Sequence, residues 1–501
     1  MLWLVVAFLL VWIAWGPAVL VVAVGLLCVP RVRWWVQDRI WFDRRIATWV
    51  TGILAALVVG VLVVPDGWLP IPPAPGVWAA PSYVGRPATA RPVTTEPPPN
   101  PQLAATGSSA RPGPLGLQPE VDTAWLGLQR CSRLEQTSTD VLVALCTDRS
   151  GPSLRLVDSE SMVPTVSRDL PEVEKRPCPN PFYLDASDRA VVATADRQVL
   201  VIPTTPAADE GKGDVDLATE SSWDLKPWIP YGDCVVGLGP DWAGRVWWAS
   251  RDGLVGTITP ATGTVEVIDL GEDVRRGLAV DEGGVYVVTD EALHRLGAGE
   301  DGVPQTLWRT DNDSSGSAPV LLDGGVVAIT DEAKDELGVV FVARDTGERL
   351  CRQSVFEKGD GATTSDLAPL GSGVAVVNNH GYSTPRSTLL GFTSNPGIAR
   401  VDLVDGGCVV SWTSDAVSPS SGATASWPNG LLYAWTKRPS LTGVSAWYLT
   451  ALDAQSGRMM WGARTGTGLL AGSDGSTITL ASDGSAWLGT MAGLVRVRDR
   501  S

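Results

Sequence analysis

The chain has 501 residues, of which 44% are hydrophobic and 19% are charged, and its formal net charge at pH 7 is −16. A chain of this length can bury a large core, and its acidity disfavours densely anionic partners, nucleic acid above all. Only two histidines occur and no two cysteines have CxxC spacing, which argues against a zinc site.

The first 64 residues predict a helical hairpin in a membrane. Residues 2–29 carry no charge and exceed the roughly 20 residues that a spanning helix needs, and residues 47–64 form a second uncharged run. The intervening residues 30–46 hold five arginines and two aspartates, which places them in the cytoplasm by the positive-inside rule. We therefore expect a cell-membrane protein with two spans in the lipid bilayer and both termini extracytoplasmic.

Residues 65–119 predict a proline-rich extracytoplasmic linker. Proline and small polar residues dominate this stretch, as in PDGWLPIPPAPG and TTEPPPNPQ. Such a composition offers few backbone donors and little apolar surface to bury. The segment is expected to act as a semi-extended spacer between the membrane and the following domain.

Residues 120–501 predict an all-β domain. Short apolar runs alternate with glycine turns, and no 3.6-residue periodicity is sustained. One kind of turn recurs at intervals of 39, 45, 60 and 50 residues, which is the range of propeller blades with loop insertions: Gly263, Gly302, Gly347, Gly407 and Gly457. Runs such as VYVV are apolar throughout, as in strands covered on both faces. The pattern predicts a seven- or eight-bladed β-propeller, and a count of about eight units favours eight.

The stretch ALDAQSGRMMW, residues 451–461, resembles the repeat of the pyrroloquinoline-quinone-like propeller family. Five residues match its Ala-Leu-Asp-x-x-Thr/Ser-Gly-x-x-x-Trp pattern: Leu452, Asp453, Ser456, Gly457 and Trp461. In a second copy Cys351 stands in the tryptophan's place. The resemblance implies that the tryptophan docks between neighbouring blades. Quinoprotein dehydrogenases of this superfamily hold their cofactor against a disulfide between adjacent cysteines, and no Cys-Cys dipeptide occurs here.

An even number of cysteines follows the predicted linker: Cys131, Cys146, Cys178, Cys234, Cys351 and Cys408. In an exported domain this predicts disulfides. Six cysteines allow 15 connectivities. We expect sequence neighbours to pair, which gives 131–146, 178–234 and 351–408.

Polar residues in VVNNHGYSTP form the best candidate ligand contact: Asn378, Asn379, His380 and Tyr382. They follow a buried strand, and loops at a propeller rim commonly carry function. The alternative is an Asn-Gly-rich turn that satisfies its own backbone. The other histidine, His294, is expected to be solvated.

The stretch DNDSSG, residues 311–316, places oxygens at positions 1, 3 and 5 and glycine at position 6, like an EF-hand calcium loop. Position 12 is Leu322 instead of glutamate, and no flanking helices are predicted. A plain turn is therefore favoured, with calcium binding at Asp311 and Asp313 as the alternative.

These features predict a binding or scaffolding module of the cell envelope, with other envelope proteins or cell-wall components as partners. No cofactor is predicted, although calcium and a quinone stay open. The alternative functions are a quinone-dependent oxidoreductase and another propeller-based enzyme, such as a sugar or lactone hydrolase.

Overall fold

The computed structural model of the chain describes residues 26, 29–39, 48–49, 52, 55–56, 81–93, 108–172, 178–205, 215–313, 315–438 and 446–500. A helix, α1, spans Pro30–Arg39 within the arginine-rich stretch that was assigned to the cytoplasm. Among the residues described, no helix has both the length and the apolar character needed to cross a membrane. The two predicted spans, residues 2–29 and 47–64, lie mostly outside the described residues.

Thirty-four strands in the described part form eight sheets, which are the blades of a β-propeller. Three strands come first: β1 (Tyr83–Gly85), β2 (Ser108–Ser109) and β3 (Glu120–Trp125). Blade 1 contains β4 (Arg130–Gln136), β5 (Leu142–Asp148), β6 (Gly151–Val157) and β7 (Pro164–Asp169). Blade 2 contains β8 (Phe182–Leu184), β9 (Arg189–Ala193), β10 (Gln198–Pro203) and β11 (Ser221–Asp224). Blade 3 contains β12 (Val235–Pro240), β13 (Val246–Ser250), β14 (Leu254–Thr259) and β15 (Thr264–Asp269).

Blade 4 contains β16 (Val274–Asp281), β17 (Gly284–Thr289), β18 (Ala292–Ala298) and β19 (Pro304–Asp311). Blade 5 contains β20 (Val320–Leu322), β21 (Val326–Asp331), β22 (Gly338–Ala343) and β23 (Arg349–Ser354). Blade 6 contains β24 (Ala368–Leu370), β25 (Gly373–Val377), β26 (Ile398–Val404) and β27 (Gly407–Ser414). Blade 7 contains β28 (Ala423–Ser426), β29 (Leu431–Lys437), β30 (Ala446–Asp453) and β31 (Met459–Thr467). Blade 8 contains β32 (Thr479–Leu480), β33 (Ala486–Thr490), β34 (Gly493–Arg498) and the early strand β3.

Each blade is an antiparallel meander whose first strand lies nearest the axis. The first strands of successive blades contact each other: β12 contacts β16, and β20 contacts β24. Fourth strands carry the exposed positions, as in β19. Connections between blades, and between second and third strands, open on one face, which we call the upper face. The remaining turns lie on the opposite, lower face. The prediction of an all-β propeller is confirmed, and of the two predicted blade counts, seven and the favoured eight, the structure has eight.

The core lies between the blades. Strands such as β25 are buried at every position because a neighbouring blade covers each face. In one cluster Val320 and Phe341 of blade 5 pack with Val374 and Val401 of blade 6. Continuous apolar runs in the sequence therefore mark strands that are sandwiched on both sides.

Strand β3 closes the ring. It pairs with β34 from Glu120↔Arg498 to Trp125↔Gly493, as the fourth strand of blade 8. This blade therefore takes three strands from the C-terminal part of the propeller and one from its N-terminal part. The ring cannot open without the loss of that ladder.

Part of the predicted linker packs on the propeller. We call residues 81–93 and 108–119 the strap. Within it β1 pairs with β31 at the outer edge of blade 7, and β2 pairs with β28 at the inner edge. Its prolines lack N–H groups but still accept hydrogen bonds: the Tyr433 hydroxyl donates to the Pro114 carbonyl (2.8 Å) and the Tyr448 hydroxyl to the Pro81 carbonyl (2.9 Å). A proline-rich segment that forms no sheet alone can thus lie on an existing one.

Tryptophans of the fourth strands dock on the next blade, as the family resemblance implied. The Nε1 of Trp308 donates to the Arg344 carbonyl (2.8 Å), and that of Trp412 donates to the Ala454 carbonyl (3.0 Å). Each carbonyl lies in the turn between the third and fourth strands of the following blade. The ring of Trp412 also covers Gly457 and leaves no room there for a Cβ.

In blade 8 the strap replaces this turn, because β34 and β3 come from opposite ends of the propeller. The ring of Trp461 packs on Gly116, which has φ +85 and whose Cβ would lie 2.7 Å from the ring. The Asp499 carboxylate accepts hydrogen bonds from the N–H groups of Leu115 (2.7 Å), Gly116 (2.9 Å) and Leu117 (2.8 Å). The aspartate and glycine of the repeat are thus supplied by two distant segments.

The three expected disulfides are confirmed. Cys131–Cys146 joins β4 and β5 within blade 1, and Cys178–Cys234 joins two connections of the upper face. Cys351–Cys408 joins the fourth strands of blades 5 and 6. Cys351 occupies the tryptophan position of the repeat, so a covalent bond there takes over the contact between blades.

Candidate functional site

The four predicted ligand residues lie in one upper-face loop, residues 378–397, which connects β25 to β26 and which we call the blade 6 loop. Asn378 is buried. Its Nδ2 donates to the carbonyls of Asp360 (2.8 Å) and Pro396 (3.2 Å), and its Oδ1 accepts from the Ala362 N–H (3.2 Å). These bonds tie the loop to the connection between blades 5 and 6.

Asn379 is also buried and joins two connections. Its Oδ1 accepts from the Thr364 N–H (3.1 Å) and the Ser365 hydroxyl (2.9 Å), and its Nδ2 donates to the Ser418 carbonyl (2.9 Å). Both asparagine amides thus have backbone partners that satisfy them. Ligand contact at these two residues stays a prediction.

His380 and Tyr382 lie further out in the same loop. The His380 N–H donates to the Asn378 Oδ1 (3.0 Å), and the Tyr382 hydroxyl donates to the Asp474 Oδ1 (2.9 Å). The other Asp474 oxygen forms an ion pair with Arg130 at the start of β4. Burial, and then the Asp474 charge, raise the pKa of Tyr382, so its hydroxyl stays protonated. A polar bridge therefore joins blade 6, the connection of blades 7 and 8, and blade 1.

Lys437, at the end of β29, holds the blade 6 loop from below. It is buried, and its Nζ donates to the carbonyls of Thr388 and Phe392, the latter at 2.7 Å. The Nζ also lies 5.5 Å from the centre of the Trp447 ring. Burial lowers the pKa of Lys437 to about 8. The ammonium group thus depends on carbonyl oxygens and a ring face.

The two predicted calcium ligands lie on the upper face between blades 4 and 5. Asp311 ends β19, is largely exposed and forms an ion pair with Arg309, while the Asp313 carbonyl accepts from the Glu332 N–H (3.1 Å). Across the part of the chain that the structure describes, no three His, Cys, Asp or Glu side chains are grouped to hold a metal. Calcium binding there stays a prediction.

The expectation that His294 is solvated is wrong. The residue is 3% exposed, and its Nε2 lies 3.1 Å from the Glu272 Oε2. Burial lowers the pKa of His294 and outweighs the opposing effect of Glu272. Burial also raises the pKa of Glu272, but hydrogen bonds from Thr289, His294 and Arg309 outweigh it and bring this pKa to about 2. A carboxylate and a neutral imidazole therefore connect blades 3 and 4.

An upper-face feature that the sequence analysis missed is the connection between β11 and β12. We call residues 225–234, LKPWIPYGDC, the aromatic loop. Trp228 is 39% exposed and Tyr231 is 70% exposed, whereas Leu225 and Ile229 of the same loop are fully buried. The signal in the sequence was a tryptophan and a tyrosine, each directly preceded by a proline, with a cysteine three residues after the tyrosine.

The aromatic loop is held rigidly. The Cys178–Cys234 disulfide fixes its end. The Ile229 N–H donates to the Leu225 carbonyl (2.9 Å), and Arg197 Nη1 donates to the Ile229 carbonyl (3.0 Å). The Arg197 guanidinium also lies 5.9 Å from the centre of the Tyr231 ring. Aromatic side chains on a preorganised loop lose little conformational entropy when they bind a partner.

The disulfides bear on the quinone alternative. Their sequence separations are 15, 56 and 57 residues, so none of the three joins adjacent cysteines. The disulfide between adjacent cysteines that holds the cofactor in quinoprotein dehydrogenases therefore has no counterpart among these three disulfides.

Comparison with known proteins supports the fold. No protein-family model matches the chain. An uncharacterized protein of Archaeoglobus fulgidus is 25% identical over 324 residues, which cover 54% of this chain and 62% of that protein, so the chain spans less than two thirds of this relative. Sqt1 from Chaetomium thermophilum has a TM-score of 0.52 at 12% identity, covering 74% of this chain and 96% of that chain. BamB from Moraxella catarrhalis has a TM-score of 0.40 at 13% identity, covering 66% and 99%. These structural neighbours are β-propellers.

Proposed function

We propose that this protein is a membrane-anchored β-propeller of the cell envelope that binds a protein partner through the upper face of blades 2 and 3. The aromatic loop is the centre of this binding surface. In this proposal the first 64 residues of the chain form a helical hairpin that anchors the protein in the membrane. The propeller lies outside the cytoplasm.

The observation that carries this proposal is the exposure of Trp228 and Tyr231 on a loop fixed by a disulfide. Tryptophan, tyrosine and arginine dominate the binding energy of protein interfaces, and Arg197 lies beside the Tyr231 ring. Two exposed aromatic rings in one loop form an apolar surface that a partner can cover, unlike a single exposed ring. The chain's negative charge favours a neutral or cationic partner surface.

Three disulfides support an extracytoplasmic location, because such bonds persist in oxidising compartments. Protease added to right-side-out membrane vesicles tests this part of the proposal. We expect digestion of the propeller in intact vesicles, under conditions that spare a cytoplasmic marker protein. Complete protection of the propeller would contradict the location.

Site-specific photocrosslinking tests the binding surface. A benzophenone amino acid replaces Trp228 in the full-length chain in its native membranes. The matched control places it at Trp242, which is 48% exposed on the lower face of blade 3. We expect one protein to crosslink from position 228 and not from position 242, and its yield to fall in a Tyr231→Ala background. Equal adducts from both positions would contradict the proposal.

A further inference from the structure

The innermost strand of blade 4 contains a bulge. In β16, Val274 pairs with Thr289 and Leu278 pairs with Val287, so residues 275–277 have no partner in the ladder. This stretch therefore leaves the regular ladder with β17. Because first strands lie nearest the axis, the bulge borders the central channel of the propeller.

Two adjacent arginines occupy this bulge. Arg275 is exposed and Arg276 is half-buried. The Arg276 Nε is buried without a hydrogen-bond partner. Nothing lies within 4 Å of the position that a Cβ would take at Gly277, the next residue of the bulge. A guanidinium whose Nε–H has no partner has unused capacity for an acceptor.

Acidic residues nearby are committed elsewhere. The Glu272 carboxylate binds Arg309 (2.8 Å) and Thr289, and Asp273 is exposed and forms no ion pair with the arginines of the bulge in the described structure. No ion pair within the described residues neutralises Arg275 or Arg276, although the whole chain carries a net charge of −16.

The other charged residues of the innermost strands have opposite partners. In β4, Arg133 pairs with Glu135 (3.1 Å) and Arg130 pairs with Asp474. In β16, Asp281 pairs with Arg344 (2.8 Å). Across the innermost strands as described, the bulge of β16 therefore holds the uncompensated positive charge.

We propose that the β16 bulge is a binding site for a carboxylate or phosphate group of a small molecule that enters the central channel. In this site Arg275 and Arg276 donate charge-assisted hydrogen bonds to the anion. This site is separate from the aromatic loop and does not depend on the protein-binding role proposed above.

Titration calorimetry of the full-length protein in a non-ionic detergent tests the site. The probes are inorganic phosphate and succinate, each at constant ionic strength set with sodium chloride. Wild-type protein is expected to bind at least one probe saturably with a Kd below about 10 mM. Phosphate binding without succinate binding assigns the site to phosphate groups, and the reverse result assigns it to carboxylates.

The variant Arg275→Gln/Arg276→Gln is expected to weaken binding at least ~tenfold, since it removes charge-assisted bonds. Arg458→Gln is the matched control, because Arg458 is exposed in a lower-face turn of blade 7. It should leave the affinity unchanged. If the double variant melts earlier than wild type, Arg275→Gln alone serves, because Arg275 is exposed. The proposal is overturned if neither probe binds, or if the control weakens binding as much as the arginine variants do.

Discussion

Replacing Gly116 by alanine tests whether the strap belongs to the propeller. Gly116 has φ +85, and a Cβ there would lie 2.7 Å from the Trp461 ring, which is fully buried. The positive φ costs a residue with a Cβ about 1–2 kcal/mol. Overpacking against a ring that cannot move costs about 1–3 kcal/mol more. We expect the variant to lose roughly 2–5 kcal/mol of unfolding free energy.

Two other glycines separate the contributions. Gly127 has φ +75 with nothing within 4 Å of its Cβ position, so Gly127→Ala should lose only the backbone part, about 1–2 kcal/mol. At Gly113 a Cβ would lie 2.7 Å from the Tyr433 ring, and φ is not in the left-handed region. Gly113→Ala should therefore lose only the packing part, about 1–3 kcal/mol.

Urea unfolding followed by tryptophan fluorescence and circular dichroism measures all three variants. We expect Gly116→Ala to be the least stable of the three variants, with a loss of unfolding free energy close to the sum of the other two losses. If Gly116→Ala and Gly127→Ala lose the same stability, the strap does not pack on Trp461. If Gly113→Ala also unfolds like wild type, the strap is a free linker.

Three further predictions concern charge and crosslinks. Asp499→Ala removes the acceptor of three strap N–H groups and should lower the free energy that holds the strap on the propeller by about 2 kcal/mol. Limited proteolysis should then cleave residues 108–119 faster than in the wild-type protein. Lys437 has a folded pKa of about 8 against 10.5 when unfolded, so the unfolded chain binds the proton more tightly between these values. The unfolding free energy should therefore rise with pH from about 8 towards 10, by up to about 3 kcal/mol in thermal denaturation. Replacing Cys351 and Cys408 by serine opens a 57-residue loop and should cost about 4 kcal/mol in urea unfolding.

Each of these three predictions has a control and an outcome that would contradict it. Asp345→Ala changes a side chain that is 92% exposed, and an equal effect on strap proteolysis would reject the role of Asp499. Lys437→Met should flatten the rise in stability with pH, and an unchanged rise would assign it to other groups. For the cysteines, wild-type protein and the serine variant should be equally stable once both are fully reduced, because neither then has any of the three disulfides. A large difference that remains after reduction would point to packing instead of the crosslink.

The blades were predictable because the repeat is local. Each apolar strand and each glycine turn lies within a few residues, so Gly457 and Trp461 predict both a hairpin and a contact between blades. The disulfides were predictable for another reason, because each joins two cysteines that are consecutive among the six in the chain order. The strap was not predictable from composition, because the Asp499 carboxylate and the Gly116 N–H group belong to segments more than 380 residues apart.

The candidate site was predictable only in part. The motif after β25 places polar residues in an upper-face loop, as expected, but nothing local reveals that Asn379 bridges two other connections. His294 was expected to be solvated because its partner, the Glu272 carboxylate, comes from the connection between blades 3 and 4 and is not adjacent to it in the sequence. The exposure of Trp228 depends on which side of the aromatic loop packs on the core. The sequence of the loop alone does not show which side that is.

Hydrogen–deuterium exchange of the intact protein, read by mass spectrometry, tests the closed ring most directly. Peptides that cover β3 should exchange as slowly as those from β34, because six residue pairs join the two strands. Peptides around β1 should be protected as well, through pairing with β31. Exchange of β3 within seconds, as in an unfolded linker, would contradict closure of blade 8 by the N-terminal part of the propeller.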